Sequence, residues 1–144
     1  MSLEQNKALV RRLFEEDLNE ADPAARSRVA DEIVAVDFVD YTNPPELQYG
    51  LESHKQILTI LRASFPDLYW ECEEPIAEGD KVAMRVIMHG THNGEFFGIP
   101  PTGKQVRVSG IHILRIANGK LAEHWGNNDD LGMMQQLGVA PKMA

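Results

Sequence analysis

A single cysteine, Cys72, in 144 residues excludes an internal disulfide and any metal cage built from several thiolates. It suits a reducing compartment, and a cytoplasmic location is expected. Positive charge is also scarce: 14 Lys and Arg stand against 22 Asp and Glu, a net charge of −8. Without a basic excess or a run of Lys or Arg, nothing is available to neutralise phosphates, so no nucleic-acid partner is expected. No apolar run approaches the ~20 residues of a membrane-spanning helix, so no membrane partner is expected. The start, Met1-Ser2-Leu3-Glu4-Gln5-Asn6-Lys7, lacks the basic-then-apolar order of a secretory signal. No repeat or low-complexity tract divides the chain. A single domain over 1–144 is therefore expected, long enough to bury a core or a ligand cavity.

The periodicity changes once along the chain. Leu9, Val10, Leu13, Phe14 and Leu18 recur at helical spacing and predict an amphipathic helix over 3–19. Asp22-Pro23 supplies a cap and a first helical proline for a second helix over 23–34. Phe38, Val39 and Tyr41 predict a short strand, interrupted by Asn43-Pro44-Pro45. Gly50 precedes a third helix with Leu51, His54, Ile57, Leu58 and Leu61 on one stripe, ending at Phe65-Pro66. From Leu68 onward the period is two, predicting strands over 68–77, 81–92, 104–117 and 120–128. Leu131, Met134 and Leu137 then predict a short closing helix stopped at Gly138. Helices followed by a meander make an α+β fold, with the helices on one face of an antiparallel sheet.

Asn118-Gly119 between the last two strands is a strong hairpin signal. A two-residue turn pairs residue i with residue 237 − i. That register places Val108, Gly110, His112, Leu114 and Ile116 on one face with Asp129, Asn127, Trp125, Glu123 and Leu121. The mixture of apolar residues, acids, one His and one Trp reads as the wall of a pocket. Ile111 and Ile113 fall on the other face, where they would be exposed unless covered, and a homodimer through that face is expected. Arg85 and His89 also read as outward-facing, and His89 and His92 point to opposite faces, so they form no metal pair.

Several motifs recur in a recognisable order. Ser64-Phe65-Pro66-Asp67-Leu68 is followed by Gly79-Asp80-Lys81-Val82 and Arg85. Gly90-Thr91-His92-Asn93-Gly94-Glu95-Phe96 and Gly98-Ile99-Pro100-Pro101-Thr102-Gly103-Lys104 come next. Arg115-Ile116, Gly119-Lys120-Leu121, Glu123-His124-Trp125, Asp129 and Gln135-Gln136-Leu137-Gly138 complete the series. In this order and over nearly the whole chain, they resemble the SnoaL-like polyketide cyclase (ester cyclase) family. That family lies within the superfamily resembling nuclear transport factor 2 and ketosteroid isomerase. The resemblance implies a cone-shaped, strongly curved antiparallel sheet whose concave face is closed by the N-terminal helices. It also implies an intramolecular aldol condensation on a polyketide ester, without metal or cofactor, and an acid/base carboxylate matching Asp129. Two positions depart from the family pattern: Tyr41 stands where many members carry His, and Gly126 stands where an acid is frequent after the Trp.

Aldol ring closure needs a base for a proton beside a carbonyl and a donor for the developing enolate. Asp129 and His112 are the catalytic candidates; Trp125, Asn127, Glu123, Tyr41 and His54 are the substrate-binding candidates. The ligand class is an apolar or aromatic carbonyl compound. Each residue has a plainer reading beside it. Asp129 would also cap the closing helix through the amide of Leu131 or Gly132; the resemblance favours catalysis. His112 would also serve as a buried partner of Glu123, Trp125 as core packing, and Asn127 as a strand-end partner. His54 would line a pocket or sit in the core. A non-catalytic binding or association module is the rival to a cyclase/isomerase-type enzyme.

Overall fold

The computed structural model describes residues 1–140; the last four residues of the expected 1–144 domain lie outside the described residues. Helix α1 (Leu3–Arg12) starts at a reciprocal Ser2/Gln5 capping box. It runs on to Leu18, as its stripe predicts, but widens into a π-helical turn over Leu13–Leu18. The wider turn buries Asp17 together with Leu13, Phe14 and Leu18. Helix α2 (Pro23–Ile33) opens on the predicted Asp22 cap, whose side chain accepts from the Ala25 amide. Strand β1 (Val34–Asp40) follows without a loop and is longer than the predicted strand. Helix α3 (Leu51–Ser64) ends just before Phe65-Pro66, as predicted.

The remaining strands are β2 (Tyr69–Cys72), β3 (Ile76–Glu78), β4 (Lys81–Thr91), β5 (Gln105–Ala117) and β6 (Lys120–Asn128). The single strand predicted over 68–77 is two strands. Pro75 falls between them, and it has no N–H to give to a ladder. Both pair with β4 in a curved sheet of order β1-β6-β5-β4-β2. The expected all-antiparallel sheet is corrected at one edge: β1 runs parallel to β6. These two strands are joined by most of the chain rather than by a turn, so no hairpin constrains their direction. The helices cover one face, packing Phe14, Phe38, Phe65, Met84, Leu114 and Leu121 into the core. Val82, Met84, Val86 and Met88 of β4 point inward, and Arg85 and His89 lie on the opposite, outer face.

The hairpin has the predicted turn, with Asn118 at φ 52° and Gly119 at φ 74°. Ala117 pairs with Lys120 and Ile116 with Leu121, as predicted. The next pair is Arg115 with Glu123, which leaves Ala122 as an extra residue in a β-bulge. Beyond it His112 faces Gly126 rather than Trp125, and Gly110 faces Asn128. A shift of one residue turns every following side chain of β6 to the other face.

Helix α4 (Asp130–Leu137) starts at Asp129, whose Oδ1 accepts the Gly132 amide at 2.9 Å, and stops at Gly138 with φ 76°. Replacing Asp129 with Ala should therefore lower stability by about 1 kcal/mol, while Asn, an equally good cap, should leave it nearly unchanged. Urea denaturation of the two variants measures this. Equal losses would mean that the charge, not the cap, does the stabilising.

Candidate active site

The bulge brings together residues that strict alternation would separate. Asp40 ends β1, beside His124 in the parallel register with β6. Asp40 Oδ2 accepts from His124 Nδ1 at 3.1 Å. His124 Nε2 lies 2.7 Å from His112 Nδ1, and His112 Nε2 lies 2.8 Å from Asn128 Oδ1. Asp40, His124 and His112 are all buried. The other Asp40 oxygen accepts from the Thr42 amide at 2.9 Å and the Thr42 hydroxyl at 2.5 Å. Two glycines leave room for the chain: a Cβ on Gly126 would lie 2.6 Å from His112 Nδ1, and one on Gly110 would collide with Asn128 Oδ1.

The protons can be counted along this chain. With Asn128 Oδ1 toward His112 Nε2, His112 donates there and accepts at Nδ1, so His124 donates from both nitrogens and is positive opposite Asp40. Turning the Asn128 amide over reverses the His112–Asn128 and His112–His124 bonds, keeps the His124–Asp40 bond as it is, and leaves both imidazoles neutral. Burial alone would raise the Asp40 pKa, but the charge and hydrogen bond of His124 and the Thr42 bonds hold it down at about 2. Burial, reinforced by the neighbouring His124, pushes His112 down to about 4. His112 is thus neutral at physiological pH.

A second pair lies on the helix side. His54 of α3 places Nε2 2.7 Å from Asp17 Oδ2 in the π-turn, and both residues are buried. Phe38 packs edge-on against the His54 ring, with centroids 5.6 Å apart.

Both groups border a partly open, largely apolar cavity of about 180 Å³. Its polar lining includes Asp40, Asn43, His54, His112, Asn128 and Asp130; Trp70, Met88, Phe96 and Met133 are among its apolar walls. Among the described residues, no three His, Cys, Asp or Glu side chains converge as a metal site.

Of the residues predicted from sequence, His112 and His54 line this cavity and the other five do not. The bulge turns Glu123, Trp125 and Asn127 to the outer face. There Trp125 stacks on Tyr41 with centroids 5.5 Å apart, and the Tyr41 hydroxyl donates to Glu123 at 2.9 Å. Arg115 Nε donates to the same carboxylate at 2.5 Å, and this bond is the main reason its pKa is lowered. The expected His112–Glu123 and His112–Trp125 neighbours are replaced by His124 and Gly126. Asp129 caps α4 and borders a shallower outer groove of about 540 Å³ with Trp125, Asn127, Ile111 and Arg85. Its neighbour Asp130, which alternation turned away, is the acid at the cavity edge. Sequence reasoning missed Asp17, Asp40, His124 and Asn128. The only signal for the last two was the position of one bulge, which hydrophobic alternation does not report.

The depressed His112 pKa gives a pH signature. Between pH 6.5 and 4 the unfolded chain takes up a proton that the native state refuses, so stability should fall with pH across this window, by on the order of 3 kcal/mol in all. The Asp40 contribution, present above pH 3.8, should be lost as pH falls further toward 2. Urea midpoints measured against pH for wild type and His112→Gln test this: the variant should lack the upper loss, and an identical profile would contradict the assignment.

Comparison with known proteins agrees with this architecture. The family model of the SnoaL-like polyketide cyclases matches residues 8–137. The nogalonic acid methyl ester cyclase of Streptomyces nogalater is 32% identical over 104 residues, 69% of this chain and 78% of that protein. An aklanonic acid methyl ester cyclase of Streptomyces peucetius is 29% identical over 136 residues, covering 90% and 88% of the two chains. Among solved structures, TsrD from Streptomyces laurentii superposes with a TM-score of 0.85 at 26% identity, covering 97% of this chain and 99% of that one. AclR from Streptomyces galilaeus, a proposed hydroxylase, superposes at 0.79 with 28% identity, over 99% and 91%. The chain belongs to the SnoaL-like polyketide cyclase family.

Proposed function

We propose that this protein is a ring-closing, aldol-type enzyme that acts without a cofactor on an apolar, polyketide-like carbonyl compound. One observation carries the reading: a chain of four buried or half-buried polar residues, Asp40–His124–His112–Asn128, borders a largely apolar cavity. Such a chain suits the oxygen of an enolate. A substrate oxygen that displaces Asn128 Oδ1 would take over the Nε2–H of neutral His112, whose Nδ1 is fixed by His124. The Asn128 side chain, released from that bond, offers its amide N–H. A neutral imidazole held below its ordinary pKa is an effective donor to a carbonyl oxygen. The named relatives are cyclases of nogalonic and aklanonic acid methyl esters, and together with the polyketide cyclase family model they support the same substrate class here. A cavity of about 180 Å³ is little larger than the ~150 Å³ engineered cavity that holds benzene. It therefore suits one or two rings of a substrate.

In this reading Asp129 is a helix cap that sets the start of α4, and its neighbour Asp130 meets the cavity. A binding module remains the second reading. It is favoured by the Asp129–Gly132 bond and by the lack of a side chain at Gly126, opposite His112.

Incubation with nogalonic acid methyl ester and with one- and two-ring β-keto esters separates the two readings. Ring closure is an isomerisation, so product is read by chromatography and NMR rather than by mass. Turnover should fall 10²- to 10³-fold in His112→Gln, the scale of losing one oxyanion donor, and stay within twofold in Asp129→Asn. Tight binding without product would favour the module; loss of turnover only in Asp129→Asn would return the catalytic role to that residue.

A homodimer through the outer sheet face belongs to the same reading. Ile111 is 57% exposed and Ile113 38%, both beside the outer groove. Light scattering after gel filtration should give twice the chain mass, and Ile111→Lys should give the monomer mass. A wild-type monomer would remove the dimer from the proposal.

A further inference from the structure

The proposed ring closure supplies a donor at His112 and Asn128 but leaves the base unassigned, and Gly126, the inward position opposite His112, has no side chain to serve as one. We infer that His54 is the base, presented to the cavity from the helix side and held in the required tautomer by the buried carboxylate of Asp17. The inference rests on the ring-closing reading above and deepens it.

The geometry is that of an oriented acid–imidazole pair. Asp17 Oδ2 lies 2.7 Å from His54 Nε2. The carboxylate accepts, so the Nε2 proton is fixed there, and in neutral His54 the lone pair is on Nδ1. Among the described residues Nδ1 has no hydrogen-bond partner, yet it is not among the sealed, unpartnered atoms. His54 is one of the residues that border the cavity. Asp17 Oδ1 is sealed and unpartnered, an expensive arrangement for a carboxylate. The π-turn that brings Asp17 inward is itself a departure from α geometry of the kind often kept at functional sites. Phe38 fixes the ring from the side. The other titratable groups on the cavity are Asp40, His112 and His124 on the sheet side and Asp130 at the start of α4.

The proton balance closes within the substrate. His54 Nδ1 takes the proton from a carbon beside a carbonyl, and the C–H electron pair becomes the enolate. The enolate carbon attacks the second carbonyl, one C–C bond forms, and the resulting alkoxide takes the proton back from the His54 imidazolium. One C–H has become one O–H, with no change of oxidation state. His54 touches the reacting carbon in this scheme, and Asp17 acts through His54 as a positioning residue.

The test uses 2-tetralone, two fused rings with an exchangeable CH₂ beside a ketone, in deuterated buffer. Proton NMR follows loss of its C1 signal, and saturation transfer confirms binding. Wild type should accelerate exchange over buffer. His54→Gln, which keeps a donor for Asp17 but has no base, should lose at least 100-fold with binding retained. Asp17→Asn should lose about tenfold and move the acid limb of the pH–rate profile to lower pH, a change that a merely structural role would not produce. Exchange in His54→Gln within threefold of wild type would overturn the inference while leaving the ring-closing reading intact. Bound 2-tetralone with no acceleration by wild type would overturn both. Nitrogen-15 NMR of histidine in the unsubstituted protein gives a check that needs no variant: a proton on His54 Nδ1 instead of Nε2 overturns the inference.

Discussion

Much of this fold is arranged around the buried carboxylate of Asp40. Taken out of water at the end of an edge strand, that group must be matched by donors and by charge. Thr42 supplies two hydrogen bonds from the chain just beyond, and His124 supplies the third from the neighbouring strand. The parallel pairing of β1 with β6, which places Asp40 against His124, is part of the same arrangement. For His124 to point inward after Leu121, β6 must contain one residue more than its partner. The bulge at Ala122 is thus what puts His124 within reach of Asp40.

Its consequences extend along β6. Trp125 is sent outward, where Tyr41 stacks on it and Lys81 approaches its ring at 5.9 Å. Gly126 is brought inward under the His112 ring, and Asn128 is brought in beside it. The site therefore has two histidines held from opposite layers, one by Asp40 through His124 and one by Asp17. The Asp40–His124–His112–Asn128 chain, in which every ring nitrogen is bonded, fixes geometry more than it adds net stability. Between the two lies a space the core does not fill, at some cost in packing.

Most of the elements were legible in the sequence because each had a local cause. Asp22-Pro23 set the start of α2, Phe65-Pro66 the end of α3, Asn118-Gly119 the hairpin turn, and Gly138 the end of α4. Of the residues lining the candidate site, His54 and His112 were legible. One bulge separated the predicted row from the observed one, and the composition of β6 concealed it. Strict alternation puts the large aromatic Trp125 inside and the polar His124 outside, which is the ordinary preference, whereas the structure does the reverse. What reverses it is Asp40, more than 80 residues earlier, and no local window contains that pairing. The π-turn at Leu13–Leu18 is hidden for a similar reason: its apolar stripe reads as ordinary helix, and only Asp17 at a buried position betrays the change.

The pair His112 and Gly126 shows why membership of a family fixes less than it suggests. With glycine at 126, the His112 ring has room to lie against the strand and bond His124. Any side chain there would begin with a Cβ 2.6 Å from His112 Nδ1, backed by buried rings at Phe14 and Trp70 that contact His112 edge-on. An inward acid at 126 and this His112 rotamer therefore exclude each other. Placing a carboxylate at 126 would not simply add a base to the existing site; it would displace the imidazole and break the link from His124 to Asn128. Substitutions at the two positions must be strongly non-additive, as expected for residues that share one volume and one hydrogen-bond chain. The glycine at 126 is thus what lets this backbone carry the buried Asp40–His124–His112–Asn128 chain.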